Sequence, residues 1–297
     1  MINFAQYPNM TKCIIPDGVN LTGTELSSFS KKIQDIYLPQ NTVLNDIGGF
    51  SEYSNLVTVS MNIDNVYSMT NTFLNCINLK TTICGNNVTK MTGTYYSCKN
   101  LTTALCGNNV TDMNGTYFGC LNITTPVCGD NVVNMGTIYH TYQYPNSYHF
   151  IYNRGTYEYC TNLTTAVCGD KVTDMKWTYV GCENLATAVC GPSVVNAYST
   201  YWNATNIRGN AYFYSPNITN AVGLFGGNRN TANRLNVYIP TNSTTLNHFQ
   251  KSDTTSIVEA IITWSNNTAN NCFYNTQYNI YIYPVENIAA AKEANGD

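Results

Sequence analysis

A repeat solenoid with a parallel β-sheet along one face, wound through about 12 turns of 22–25 residues, is the architecture this sequence predicts. Three observations predict it. Cys84, Cys106 and Cys128 recur every 22 residues, as do Cys168 and Cys190, and a second series (Cys76, Cys98, Cys120, then Cys160, Cys182) keeps the same period. The motif around them returns too: Asn-Leu-Thr-Thr-Ala-Val-Cys-Gly, followed by a Thr-Tyr-x-x-Cys step. Looser copies extend the period to both ends. A unit this short buries an apolar face only by stacking on copies of itself.

The turns can be followed in order. Cys13-Ile14-Ile15-Pro16 opens the series, and Ile36-Tyr37-Leu38-Pro39 and Val59-Ser60-Met61-Asn62 follow at intervals of 23 residues. Thr82-Ile83-Cys84-Gly85 begins the cysteine-rich units, which continue at Gly107, Gly129, Gly169 and Gly191. Tyr214-Ser215-Pro216, Val237-Tyr238-Ile239-Pro240, Ala260-Ile261-Ile262-Thr263 and Tyr281-Ile282-Tyr283-Pro284 are the loose copies beyond. Residues 1–285 are therefore expected to form one solenoid, with divergent capping turns over about 1–53 and 205–285 and a tail at 286–297.

Within one unit, Leu101, Ala104 and Cys106 stand at positions 1, 4 and 6 and Asn109 at position 9, the spacing of a leucine-rich repeat. Thr103 to Cys106 is the expected strand, and Gly107 turns the chain. Val110 and Met113 point back inward, while Tyr117 and Cys120 close the core on the convex side. Strand alternation then turns positions 3 and 5 outward.

Composition bounds the function. Only 10% of residues are charged, but 24 Tyr, 10 Phe and 3 Trp argue for an ordered chain. A net charge of −3 without a Lys/Arg run speaks against nucleic acid as a partner. No apolar run approaches the ~18–20 residues that cross a bilayer, so no membrane insertion is expected. The opening Met-Ile-Asn-Phe-Ala-Gln-Tyr-Pro has neither the basic nor the apolar region of a signal peptide. Ten of the 12 cysteines occupy repeat-equivalent positions, which predicts two reduced core ladders rather than disulfides or a zinc site. His140, His149 and His248 are too scattered for a metal motif, and no nucleophile elbow or phosphate loop occurs. No cofactor and no enzymatic activity are expected. The sequons at Asn87, Asn109, Asn122, Asn162, Asn203 and Asn217 read as an Asn/Thr-rich surface.

The unit resembles the BspA-like, Treponema pallidum-type leucine-rich repeat, whose pattern runs Leu-x-x-Ile-x-Ile-Pro-x-x-Val-x-x-Ile-x-x-x-Ala-Phe-x-x-Cys. Pro16, Pro39 and Pro240 keep its Ile/Leu-Pro step, the middle units carry Cys-Gly there, and Thr-Tyr-x-x-Cys stands where the family has Ala-Phe-x-x-Cys. The resemblance implies a curved, right-handed solenoid. It also implies a surface or secreted protein that binds other proteins, often in adhesion, with no catalytic residues.

Two features are candidates for function. On the sheet face, Ile83, Leu105, Val127, Val167 and Val189 form an outward aliphatic stripe beside Thr103, Thr125 and Thr165. An exposed apolar row of this length suits a protein partner or self-association. The second is a Tyr/His-rich insertion over about 138–156, where the interval from Gly129 to Gly169 is 40 residues. Its Tyr142, Tyr144, Tyr148, His149 and Tyr152 supply the amphipathic surface that binding loops use, with a host cell-surface protein or glycan as a further candidate ligand. The segment 207–216 also departs from the period. The expectation drawn from these features is a non-enzymatic structural or adhesive component of a phage virion, tail- or capsid-associated, assembled in the host cytoplasm. A bacterial cell-surface adhesin and an intracellular scaffold are the alternatives.

Overall fold

The computed structural model describes residues 3–16, 18–19, 21–38, 47, 49–136, 154–227, 234–241, 243–247 and 279–296. They form a stack of parallel coils. Strands β1 (Lys12–Ile14), β2 (Asp35–Tyr37) and β3 (Thr58–Ser60) pair in parallel, with Cys13, Ile36 and Val59 in register. At the other end β4 (Ala188–Cys190), β5 (Gly209–Phe213), β6 (Arg234–Pro240) and β7 (Asn279–Val285) make a second parallel sheet. Between the two sheets, residues 81–84, 103–106, 125–128 and 165–168 occupy the same place in their coils but form no regular strand.

A second row of parallel bridges runs along another side of the stack, through Ser68, Lys90, Asp112, Asn134, Asp174, Asn196 and Asn220. It crosses from Asn134 to Asp174 without a break, so the insertion leaves the coils on either side as direct neighbours. The number of turns comes out lower than the dozen expected. Strand β6 hydrogen-bonds directly to β7, from Arg234↔Asn279 to Pro240↔Val285, which leaves no place between them for the copy read at 260–263. Residues 260–263 themselves lie outside the described residues.

The interior is built from columns of one residue type. Val88, Val110, Val132, Val172 and Val194 form one column and Met91, Met113, Met135 and Met175 another, all fully buried. The largest column is aromatic: Phe50, Phe73, Tyr95, Tyr117, Tyr157, Tyr179, Tyr201 and Phe225 stack with centroids 5.5–5.7 Å apart and planes within 14°. These rings do not merely close the convex side, as the sequence suggested. They reach across the core toward the sheet, because a buried tyrosine hydroxyl needs a hydrogen-bond partner and finds one there.

The two cysteine series also part company. Cys76, Cys98, Cys120, Cys160 and Cys182 are fully buried, and each thiol donates to the carbonyl of an aromatic residue one coil back, at 3.0–3.1 Å. In the other series Cys190 is buried in the core, while Cys84, Cys106, Cys128 and Cys168 are only half-buried and pack against the core as its rim. Each thiol lies over the glycine that follows the next cysteine: a β-carbon on Gly107 would sit 2.7 Å from Cys84 Sγ, and one on Gly191 would sit 2.8 Å from Cys168 Sγ. The Cys-Gly pairing in the sequence is thus a contact between coils. The eleven described cysteines are free, and Cys272 lies outside the described residues.

Candidate functional site

On the sheet face burial alternates residue by residue at 103–106 and at 188–190, whereas residues 81–84 are all half-buried and Ile83 packs against the core. Thr103, Thr125 and Thr165 are exposed, Leu105 is 37% exposed, and Ile83, Val127, Val167 and Val189 are half-exposed. At the C-terminal end the row passes into tyrosines, of which Tyr212 is buried. Val189 lies in register with Tyr212, Tyr212 with Tyr238, and Tyr238 with Tyr283, and the three tyrosine rings stack at 5.0 Å. The segment expected to depart from the period, 207–216, therefore carries a regular strand, β5, that prolongs the face.

What fixes the stripe is a set of clamps from inside. The Tyr117 hydroxyl accepts the Leu105 N–H at 2.7 Å and donates to the Leu105 carbonyl at 2.5 Å. Tyr95 holds Ile83 in the same way, Tyr157 holds Val127, Tyr179 holds Val167 and Tyr201 holds Val189, all within 2.5–2.9 Å. Each hydroxyl thus satisfies both backbone groups of one stripe residue, and the outward aliphatic side chain is presented from a fixed point. Burial pushes all five phenols well above the usual tyrosine range, so the clamps stay protonated donors at any physiological pH.

Between two of these coils the face opens into a shallow groove, with Val127 and Val167 on its walls, Cys128 and Cys168 beside them, and Asp130, Asp170 and Lys171 at its edge. Burial pushes the Cys128 thiol up to about 11 and the Cys106 and Cys168 thiols up to about 12. A thiol held protonated in this way is a poor nucleophile and a poor metal ligand. The groove offers shape, two aliphatic walls and a few charges.

The insertion candidates Tyr142, Tyr144, Tyr148, His149 and Tyr152 lie outside the described residues, but the point where the chain re-enters the stack is described. Glu158 is 2% exposed; its Oε1 accepts from Arg154 Nη1 at 2.9 Å and its Oε2 from the Gly155 N–H at 3.1 Å. Desolvation pushes its carboxyl up to about 7, against the pull of the Arg154 guanidinium. Arg154 also lies 5.1 Å from the centre of the Phe118 ring, and Tyr159 meets that ring edge-on. Tyr159 (φ 59°) and Trp177 (φ 60°) adopt the left-handed backbone that recurs at these positions along the stack, filled elsewhere by Gly119, Gly181, Asn75 and Ser97 or by Gly93, Gly115, Asn71 and Ser199. Bulky residues seldom accept that conformation, and strain of this kind collects at functional segments.

Two parts of the site escape the sequence reading. The clamps do so because the partners stand 12 residues apart, or 30 across the insertion, with no ladder pattern to link them, although the change from Phe to Tyr at the aromatic position is a usable signal. The other is helix α1 (Ile288–Ala294), in what was read as a tail. It packs against β5 and β6, where Asn295 Nδ2 donates to the Tyr212 hydroxyl at 3.0 Å and Lys292 Nζ lies 6.0 Å from that ring's centre. The chain's own C-terminus thus covers one end of the stripe.

Compared with known proteins, residues 2–80 and 48–143 match the family model of the BspA type leucine rich repeat region, in six copies. No curated protein and no solved structure matches the chain.

Proposed function

Because the chain belongs to the BspA-like leucine-rich-repeat family, we propose that it is a contact protein of a virion, binding a protein partner or another copy of itself through the outward face of its sheet. Repeats of this type mediate protein interactions, and solenoids of this kind are typically non-catalytic. The observation that carries the reading is the stripe from Ile83 to Val189: apolar, half-exposed, and clamped residue by residue from the core. A preorganised face spends little ordering entropy on binding, which is what an assembly or adhesion surface requires. In the proposed setting, a phage tail or capsid assembled in the reducing host cytoplasm, free thiols used as hydrogen-bond donors are at home. The alternative, a bacterial cell-surface adhesin, is favoured by the family match and would use the same face.

The test is the solution mass of the full chain by light scattering, for the wild type and for Val127→Asp/Val167→Asp. Both positions are half-exposed, so the double variant is expected to fold. An oligomeric wild type and a folded monomeric variant support self-assembly through this face. If both have the same mass, the face is not a contact between copies, and its partner is a different protein.

A further inference from the structure

One occupant of the sheet face is already in place. Helix α1 follows β7 after Glu286 and Asn287 and packs against β6 and β5. Only one side of it meets the face. Ile288 is buried and Ala291 half-buried, Lys292 Nζ lies 6.0 Å from the centre of the Tyr212 ring, and Asn295 Nδ2 donates to the Tyr212 hydroxyl. Ala289, Ala290, Glu293 and Ala294 are exposed. The contacts thus fall at i, i+3, i+4 and i+7, a single stripe of an α-helix.

The direction of α1 matters as much as its contacts. From β7 to β5 is about 9.6 Å at the usual strand spacing, and the rise from Ile288 to Asn295 is about 10.5 Å. The helix therefore lies lengthwise on the row, across the strands, and ends at Tyr212. Next to Tyr212 in register stands Val189, and the row goes on through Val167, Val127 and Leu105. That further stretch is about 14 Å long, which a helix covers in about ten residues.

An extended segment could not use this seat. The N–H and C=O of Leu105, Val127, Val167 and Val189 are held from inside by tyrosine hydroxyls. A strand laid over these residues would leave its own backbone groups unpaired against aliphatic side chains. A helix has its backbone bonded within itself, and its pitch of about 5.4 Å stays close to the strand spacing of about 4.8 Å, so successive turns meet successive coils. Along one edge of the seat stand Asp130 and Asp170, with Lys171, whose ammonium is engaged by Asn131. Taking the sheet face as the binding surface, we infer that its partner is an amphipathic helix laid along Leu105 to Val189, about one turn to each coil, apolar beneath and basic on the flank toward Asp130 and Asp170.

The probe is a peptide of two Ile-Ala-Ala-Leu-Lys-Lys-Ala repeats with blocked ends, titrated calorimetrically into the full chain. It is expected to bind about tenfold more tightly than the same peptide with proline for the alanine that joins the repeats, which keeps the apolar residues but breaks the helix. Circular dichroism is expected to show the peptide gaining helix as it binds. Val127→Asp/Val167→Asp and, separately, Leu105→Asp at its 37% exposed position are each expected to weaken binding by about tenfold. A version with glutamates for the lysines is expected to bind about threefold more weakly. If the helical and proline peptides bind alike and Leu105→Asp weakens both, the face binds but takes no helix, and this assignment alone is overturned. If the helical peptide does not bind the wild type, or binds both variants as tightly, the assignment is overturned whatever the solution masses show. Equal binding of the glutamate version would remove the basic flank from it.

Discussion

The coils with phenylalanine in the aromatic column and those with tyrosine solve the same problem differently. In the coils of Phe50, Phe73 and Phe225, the sheet-side backbone pairs with neighbouring coils as β2, β3 and β5. In the coils of Tyr95, Tyr117, Tyr157 and Tyr179, the equivalent residues form no regular strand, and the phenol of the same coil takes up the N–H and C=O of the central residue. Tyr201 stands at the boundary: it clamps Val189, and β4 still pairs with β5 on one side. Buried backbone groups must be satisfied somewhere, and one hydroxyl per coil suffices to move that bonding from between coils to within one. On the sheet side the ends of the stack are stitched coil to coil, whereas the middle coils satisfy that backbone within themselves and are joined along the bridge row instead.

The comparison can be broken first by deleting a ring. Tyr117→Ala removes a fully buried side chain from the middle of the column and frees both Leu105 groups, and is expected to cost about 3–5 kcal/mol in chemical denaturation. Next comes the coil that carries the insertion. The Glu158 carboxyl lies at about 7 in the folded chain against 4.5 for the unfolded one, so the folded state holds the proton more tightly. Its contribution is therefore fully present below pH 4.5 and is lost as pH rises through 7, by up to about 3 kcal/mol. Glu158→Gln should flatten that part of the stability–pH curve, and an unchanged slope would remove Glu158 from the account.

A smaller, sharper pair exchanges the two solutions. Tyr117→Phe leaves the ring in place but strips the clamp, with an expected cost of about 1–3 kcal/mol and faster amide hydrogen exchange at Leu105. Phe73→Tyr places a hydroxyl where the strand already pairs with its neighbour, and is expected to cost a similar or smaller amount. If Tyr117→Phe were neutral while Phe73→Tyr were stabilising, the hydroxyls would not be what separates the two regions.

Much of this was legible because a solenoid writes its structure into its period. The inward columns at Val110, Met113 and Cys120 and the outward stripe at Leu105 and Val127 follow from spacing and strand alternation alone. The fate of Cys106 did not, since both cysteine series have the same period and only the glycine opposite shows which one sits at the rim. The stretch after Pro240 misled for the opposite reason: a loose match at 260–263 fitted the interval, but pairing in β6 and β7 is settled by hydrogen bonds that no spacing encodes. Docking of helix α1 on Tyr212 joins residues 83 apart in sequence, beyond any local pattern.

The clamps also bear on how such a chain changes length over generations. A coil whose stripe residue is satisfied by its own tyrosine asks little of its neighbours on the sheet side, and its other bonds to them, such as the bridge row, recur in the same form from coil to coil. The stack has already absorbed an interruption after Gly136, with Tyr117 and Tyr157 still 5.5 Å apart as if nothing had been added. Unequal recombination between near-identical units could therefore add or remove whole coils from the middle while the hydrogen-bonded ends go on sealing the stack. Reach becomes the trait most open to selection, and the repeated gene segment its adjustable ruler.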